Sequence, residues 1–461
     1  MAKRGLAVIL ALLISLLTAS PACGDRLVTQ EEIDAIVKES DVEPTVTIHA
    51  KSAILIERST GVVLFEYDAD LQTAPASITK IMTLLLVMEA MEAGKFTLDT
   101  EVTASEHACS MGGSQIWLEP GEVMTVDELL RATAIASAND TSVALAELVA
   151  GSEEAFVNLM NERAAELGMM NTVFKNATGL DAEGHLSTAR DIAIMSAELL
   201  KHDLIKKYTT VWMDSLRDGE TELTNTNRLV RFYKGCTGLK TGSTDVAGCC
   251  LSASAERDGM ELISVTLGSA NNNERFAAAR KLLDFGFANY EVAVPTYTGE
   301  APEAVRVSFG TADAVPIVFG EAEPLLLAKG EAEGLTQTIE LVDSLEAPVA
   351  EGDTVGKVTV ELNGEYISEY PVLAAETVER MTFFRAFGLL LFECAGTKRV
   401  SEEEEMPETE TEPEASSEVP APGTESSSAG ESGASMEESG SSAEESGASA
   451  EEMEGSLEEE S

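Results

Sequence analysis

Basic residues are scarce: 31 Lys or Arg stand against 81 Asp or Glu in 461 residues, a formal charge of −50. Residues 401–461 hold 21 Glu and no Lys or Arg, yet the chain before them is acidic in its own right. A phosphate backbone is bound by a basic face that releases counterions, so nucleic acid is excluded as a partner. Histidine and cysteine are also few. The four His (His49, His107, His185, His202) form no H-E-x-x-H, and none of the six Cys (Cys23, Cys109, Cys236, Cys249, Cys250, Cys394) sits in a C-x-x-C pair. No metal-ligand spacing is present, and neither a metal nor another cofactor is expected. Apolar runs long enough to span a bilayer, about 20 residues, are missing as well.

The first 22 residues read as an export signal: Lys3 and Arg4, an apolar stretch Leu6–Leu17, and a small-residue cleavage site Ser20-Pro21-Ala22. Cys23 follows directly, but the preceding residues match a Leu-rich lipobox poorly, so lipidation is not expected. The protein is expected to work outside the cytoplasm, at the outer face of the membrane or in the cell wall. A polar arm (23–43) precedes a mixed helix-and-strand domain over 44–290. There, "SAILIERSTGVVLFEYDAD" reads as a strand pair and "SITKIMTLLLVMEAMEAGK" as a long apolar helix ending near Gly94. "TVDELLRATAIASANDTSVALAELVAG" reads as two helices broken around Ser137–Asp140. Short alternating runs over 291–375 indicate a small all-β domain. Residues 376–399 form an aromatic, partly basic helix, and 400–461 are too polar to bury a core.

Three short segments carry the chemistry. Ser77 and Lys80 lie one helical turn apart in "APASITKIMT"; alone, S-x-x-K describes equally a helix-capping serine and a lysine reaching solvent. Ser137-Ala138-Asn139 falls in an apolar helix break, where polar side chains without a task are costly. Lys240-Thr241-Gly242 lies on an expected strand, with Gly242 permitting close approach to the backbone. In the order S-x-x-K, S-x-N, K-T-G these make up the set shared by penicillin-binding proteins and serine β-lactamases. A serine hydroxyl needs a base. Lys80 can serve if neutral, and a second ammonium on Lys240 lowers its pKa. Ser137 can relay a proton to the leaving amine, Asn139 can hold the substrate amide, and Lys240 with Thr241 suits a terminal carboxylate. Backbone N–H groups of Ser77 and Ser243 would meet the oxyanion.

With these residues in place, the chain resembles the low-molecular-mass penicillin-binding proteins that are serine-type D-alanyl-D-alanine carboxypeptidases. "PASITKIMT", "IASAND", "NATGLDAEGHLSTARDIAIMS", "TNTNRLV", "GLKTGSTDVAGCC" and "LEAPVAEGDTVGKVTVELNGEYISEYPVLAAETV" carry the resemblance over most of residues 45–390. It implies an α/β transpeptidase-like domain, an antiparallel sheet flanked by helices, followed by the small β domain. It implies Ser77 as acyl-enzyme nucleophile, Lys80 as general base, Ser137 with Asn139 as the second element, and Lys240, Thr241 and Gly242 as the carboxylate-binding strand. The implied substrate is the peptidoglycan stem pentapeptide, with β-lactams as inhibitors. Ala138 stands where Gly is frequent, and Ser243 where a larger side chain is common.

The alternatives are a β-lactamase-type hydrolase on the same fold, which needs a loop glutamate that the sequence does not offer, and a non-catalytic wall-binding protein, whose mark would be a missing motif member. Elsewhere Arg190-Asp191 is expected to cap a helix and form a structural ion pair, and His185 to be a loop residue. Cys236 could pair with Cys249 or Cys250, but free buried thiols are favoured. Phe383, Phe384, Phe387, Leu390, Leu391 and Cys394 form an apolar stripe flanked by Arg380 and Arg385, the pattern of an in-plane membrane anchor; the rival is a short span.

Overall fold

The computed structural model describes residues 46–396; the expected export signal, the arm, the last residues of the expected C-terminal helix and the Glu-rich tail lie outside them. Five antiparallel strands form the central sheet: β1 (Ser52–Glu57), β2 (Val63–Tyr67), β3 (Cys236–Thr244), β4 (Gly248–Arg257) and β5 (Met260–Ser269), in the order β2-β1-β5-β4-β3. Both faces are covered, which is why "SAILIE" is buried at every position rather than at every second one. Alternate side chains serve opposite layers. Ile54, Ile56, Ile263 and Val265 join the larger core, with the helices α1 (Lys80–Glu92), α2 (Asn139–Ala150), α3 (Glu153–Glu166) and α4 (Ala189–Leu199). On the other face Ala53, Leu55, Leu251, Ala253 and Leu262 pack with Ala279, Leu282 and Leu283 of α5 (Asn272–Asn289).

The first nine residues of α1 carry almost only apolar side chains, the composition of a helix with no solvent face, and every residue from Lys80 to Met88 is buried; polar Glu89 and Glu92 come only in its last turn. The broken helical pattern has a specific form. A capping box, Thr125 with Glu128, starts the helix Val126–Arg131. A π-turn over Ala132–Ala136 follows, Ser137 adopts φ 64°, Ala138 is extended, and α2 begins at Asn139. A π-turn inside a helix commonly marks a functional site; this one turns Ser137 and Asn139 out of the helical repeat.

The C-terminal β-rich part is a six-stranded sheet in the order Leu335–Leu341, Thr354–Leu362, Glu365–Ala374, Ala314–Phe319, Ala304–Ser308, Leu345–Glu346. Its own core holds Val315, Val355, Val358, Val360, Ile367 and Val372. The helix expected from residue 376 begins only at Phe383 and runs to Gly396. The preceding segment is extended instead, because bridges Val349↔Val378 and Gly310↔Arg380 tie it to the sheet.

Two smaller features of the sequence have definite places in the fold. Cys236 lies opposite Ala255 and Cys249 opposite Ser243, at opposite ends of the β3–β4 hairpin, and these thiols and that of Cys250 are free. Arg190 pairs with Glu66 and Asp70, while Asp191 accepts from Asn171 N at 2.9 Å and Thr172 Oγ1 at 2.7 Å. Both are structural contacts, but the expected cap is supplied by neither residue: Thr188 caps the helix, its side chain accepting from Asp191 N at 3.1 Å.

Candidate active site

The three sequence segments meet where the start of α1, the start of α2 and the strand β3 converge. Ser77 sits in a single 3-10 turn, Ala76–Thr79, that feeds directly into α1. One turn on, Lys80 Nζ lies 3.1 Å from Ser77 Oγ, 2.6 Å from Asn139 Oδ1 and 2.7 Å from the carbonyl of Thr178. Asn139 Nδ2 donates to Gly112 O at 2.6 Å. These contacts fix the amide orientation, oxygen toward the amine and nitrogen toward the carbonyl. Asn139 therefore anchors Lys80, and only its second amide hydrogen is left for a substrate. No contact among the described residues links the Ser137 hydroxyl directly to Ser77 or Lys80, although Ser137 is itself buried in the site.

Both lysines are fully buried. Desolvation, then the nearby Lys240 charge, hold Lys80 well below its ordinary pKa, with Asp140 opposing weakly. Desolvation and the Arg275 guanidinium push Lys240 down to about 7. Burial and the neighbouring cation thus favour the neutral amine at Lys80, the form that can take a proton from the serine hydroxyl beside it. The Asp140 carboxylate does not neutralise it directly: its oxygens accept from the backbone N–H groups of Ile116, Leu118 and Thr141.

β3 brings Lys240, Thr241, Gly242 and Ser243 alongside the serine turn. Lys240 Nζ donates to Thr241 O at 3.0 Å, and Thr241 Oγ1 donates to Thr226 Oγ1 at 2.7 Å. A Cβ on Gly242 would lie 2.9 Å from Pro75 O and 3.0 Å from Ser77 N. The close approach that Gly242 permits is therefore made by the chain itself, which sets Ser77 N and the Gly242–Ser243 peptide side by side. Ser243 Oγ points to the far side, 3.8 Å from Cys249 Sγ.

Several contributors are not legible in the sequence as site residues. Arg275, from α5, donates to Gly242 O at 3.0 Å and fixes the Gly242–Ser243 peptide plane. Thr226 bonds to Ile135 O through its backbone N–H as well as to Thr241, joining the π-turn to β3. Thr178 and Gly112 act through carbonyls, which carry no side-chain signature. His185 lies in a loop as expected, but it is buried and bonded to Thr79.

Gly179 is the tightest point of this assembly. It has φ 84°, and a Cβ there would stand 1.9 Å from Ala76 O. Gly179→Ala is expected to cost at least about 2 kcal/mol, from the left-handed backbone and the clash together, and to displace the serine turn. Thermal denaturation checks the first effect and labelling by a fluorescent penicillin the second; a variant with wild-type melting temperature and labelling rate would contradict this packing.

Known proteins are similar to this chain in sequence and in fold. Residues 38–271 match the peptidase S11 family, described as D-alanyl-D-alanine carboxypeptidase, and residues 290–380 match the C-terminal domain of penicillin-binding protein 5. The D-alanyl-D-alanine carboxypeptidase DacF of Bacillus subtilis is 45% identical over 338 residues, covering 72% of this chain and 87% of that protein. DacC of Escherichia coli is 37% identical over 358 residues, covering 76% and 89%. Among solved structures, penicillin-binding protein 5 of Haemophilus influenzae superposes with TM-score 0.61 at 31% identity, covering 74% of this chain and 100% of that one. The chain belongs to the serine-type D-alanyl-D-alanine carboxypeptidase family, peptidase S11. It is a serine hydrolase of that class, on the expected mixed α/β fold with a β-rich domain after it.

Proposed function

We propose that Ser77 carries the acyl-enzyme of a D-alanyl-D-alanine carboxypeptidase acting on peptidoglycan stem pentapeptides. The fully buried Lys80 amine at 3.1 Å from Ser77 Oγ, its pKa lowered by burial and by Lys240, is the observation that supports this most strongly. Ser77 Oγ attacks the carbonyl of the penultimate D-alanine as Lys80 takes its proton. The oxyanion is met by the N–H groups of Ser77 and Ser243. The C–N bond then breaks, and the proton that Lys80 took from Ser77 passes through Ser137 to the leaving D-alanine nitrogen, which frees Lys80 to act as base again. Water attacks the ester, Lys80 takes its proton, and Ser77 Oγ leaves and receives that proton from Lys80. Asn139 holds Lys80 and offers one amide hydrogen to the substrate, while Lys240 and Thr241 bind the terminal carboxylate, with Gly242 and Ser243 forming the strand edge. The test is incubation with a synthetic pentapeptide followed by mass spectrometry. Loss of one D-alanine is expected; an unchanged peptide would refute the activity. β-Lactams, as acylating mimics of that peptide end, are the expected inhibitors.

The division of labour between the lysines has a pH signature. Lys80 acts neutral, so kcat/KM falls on the acid side as it is protonated. Lys240 acts charged, so kcat/KM falls on the alkaline side as it loses its proton. A guanidinium stays charged, and Lys240→Arg should therefore lose the alkaline limb, keep the acid limb and retain partial substrate binding. An unaltered alkaline limb in that variant would show that Lys240 does not set it.

We also propose export of the chain and an in-plane membrane anchor at its C-terminal helix. Phe384 and Phe392 are more than four-fifths exposed, and Phe383, Phe387, Leu390 and Leu391 are exposed beside them. The 14-residue helix is about 21 Å long at 1.5 Å per residue, short of the roughly 30 Å apolar core of a bilayer, and no helix among the described residues is long and apolar enough to cross one. Protease added to spheroplasts should remove the acidic tail; a protected tail would mean that the helix crosses.

A further inference from the structure

A buried imidazole is hydrogen-bonded to the serine turn through Thr79. His185 Nε2 is 2.9 Å from Thr79 Oγ1, and Thr79 Oγ1 donates to Ala76 O at 2.9 Å. His185 Nδ1 accepts from Lys175 N at 3.4 Å. With Nδ1 an acceptor and the Thr79 proton committed to Ala76 O, the network assigns the hydrogen of His185 to Nε2, donating to Thr79. Phe174 packs edge-on against the ring at 5.9 Å and holds its plane. Burial pushes the imidazole down to about 4, so it remains neutral, with a single N–H, at ordinary pH.

The acceptor at the end of this chain matters because of what shares its peptide bond. Ala76 O and Ser77 N–H belong to one planar unit, so whatever fixes the carbonyl also aims the N–H. Ala76 holds φ 49°, a conformation that non-glycine residues reach only when their surroundings impose it. A hydrogen bond to the carbonyl also polarises the amide and strengthens its N–H as a donor. The other oxyanion donor is braced in the same manner: the carbonyl on the Ser243 N–H peptide is Gly242 O, which accepts from buried Arg275 at 3.0 Å.

We propose that His185 is a positioning residue that acts through Thr79 to set the Ala76–Ser77 peptide plane and so direct the Ser77 N–H at the reacting carbonyl. This rests on the reading of Ser77 as nucleophile. His185 touches no reacting atom; its effect falls on the transition state, where the oxyanion forms, more than on substrate binding. Removing an oxyanion donor outright costs about 10²–10³-fold, and misdirecting one should cost less.

The test compares His185→Phe, which keeps the ring but loses the donor, with His185→Gln, which keeps an N–H, and with Thr79→Val. The full chain is used with benzylpenicillin and with a pentapeptide. In His185→Phe and Thr79→Val, acylation and kcat should fall about 10–100-fold with KM changed little. His185→Gln should recover most of the loss, and the His185→Phe/Thr79→Val double variant should lose no more than either single change. The ester carbonyl band of the acyl-enzyme should move to higher wavenumber in the infrared, reporting a weaker oxyanion contact. Wild-type acylation and an unmoved band in folded His185→Phe would overturn the proposal, as would equal losses in the Phe and Gln variants. If His185→Phe does not fold, Thr79→Val decides by the same readouts. Failure of the wild type to form any Ser77 adduct would overturn the nucleophile assignment instead.

Discussion

Ser77→Ala should lower carboxypeptidase turnover by more than about 10⁴-fold and abolish covalent labelling by penicillin. The expectation follows from the role proposed for the hydroxyl: without it no ester could form, and binding plus the proposed oxyanion site would leave only residual catalysis. The fold should survive, because Ser77 is held by the backbone of its 3-10 turn and by the approach of β3, neither of which needs the hydroxyl. Labelling with a fluorescent penicillin, beside a melting curve, checks both halves. Labelling that persists in a folded Ser77→Ala protein would place the nucleophile elsewhere.

Lys80→Arg is expected to be nearly as damaging, about 10³-fold or more in kcat/KM, since a general base contributes about 10²–10⁴-fold and a guanidinium cannot give up its proton. The pocket adds a second cost. Lys80 is fully buried, with its amine between Ser77, Asn139 and the Thr178 carbonyl. A larger, permanently charged group there would sit near Lys240 and displace Asn139. Steady-state kinetics of Lys80→Arg beside Lys240→Arg separates the roles: the first should be nearly dead, the second only weakened. Equal losses would show that charge alone, and not proton transfer, is what both lysines supply.

What can be read from the sequence follows from where chemistry constrains side chains. A serine and a lysine one turn apart, an S-x-N in an apolar helix break and a K-T-G on a strand each carry their function in residue type, so they stand out before any fold is known. The apolar helix and the strand pair near the N-terminal end are legible for a similar reason, since burial dictates their composition. The supporting layer is not. Thr178 and Gly112 contribute only carbonyls. Arg275 reaches Gly242 from a helix 33 residues along the chain, and nothing in its local sequence distinguishes it from a surface arginine. Residue type points Asn139 at the substrate, yet most of its hydrogen-bonding capacity holds Lys80 and Gly112 O. The pattern over 376–382 starts the C-terminal helix too early, because it does not reveal the bridges that tie this segment to the sheet.

The central claim is an ester on Ser77 during turnover. Rapid quenching of the enzyme with a pentapeptide, followed by intact-mass measurement and peptide mapping, tests it most directly. An adduct of the acyl tetrapeptide is expected on the peptide containing Ser77, with one D-alanine released for each adduct formed. D-alanine released at a rate that requires an acyl-enzyme to accumulate, with no adduct or with the adduct on another residue, would contradict it.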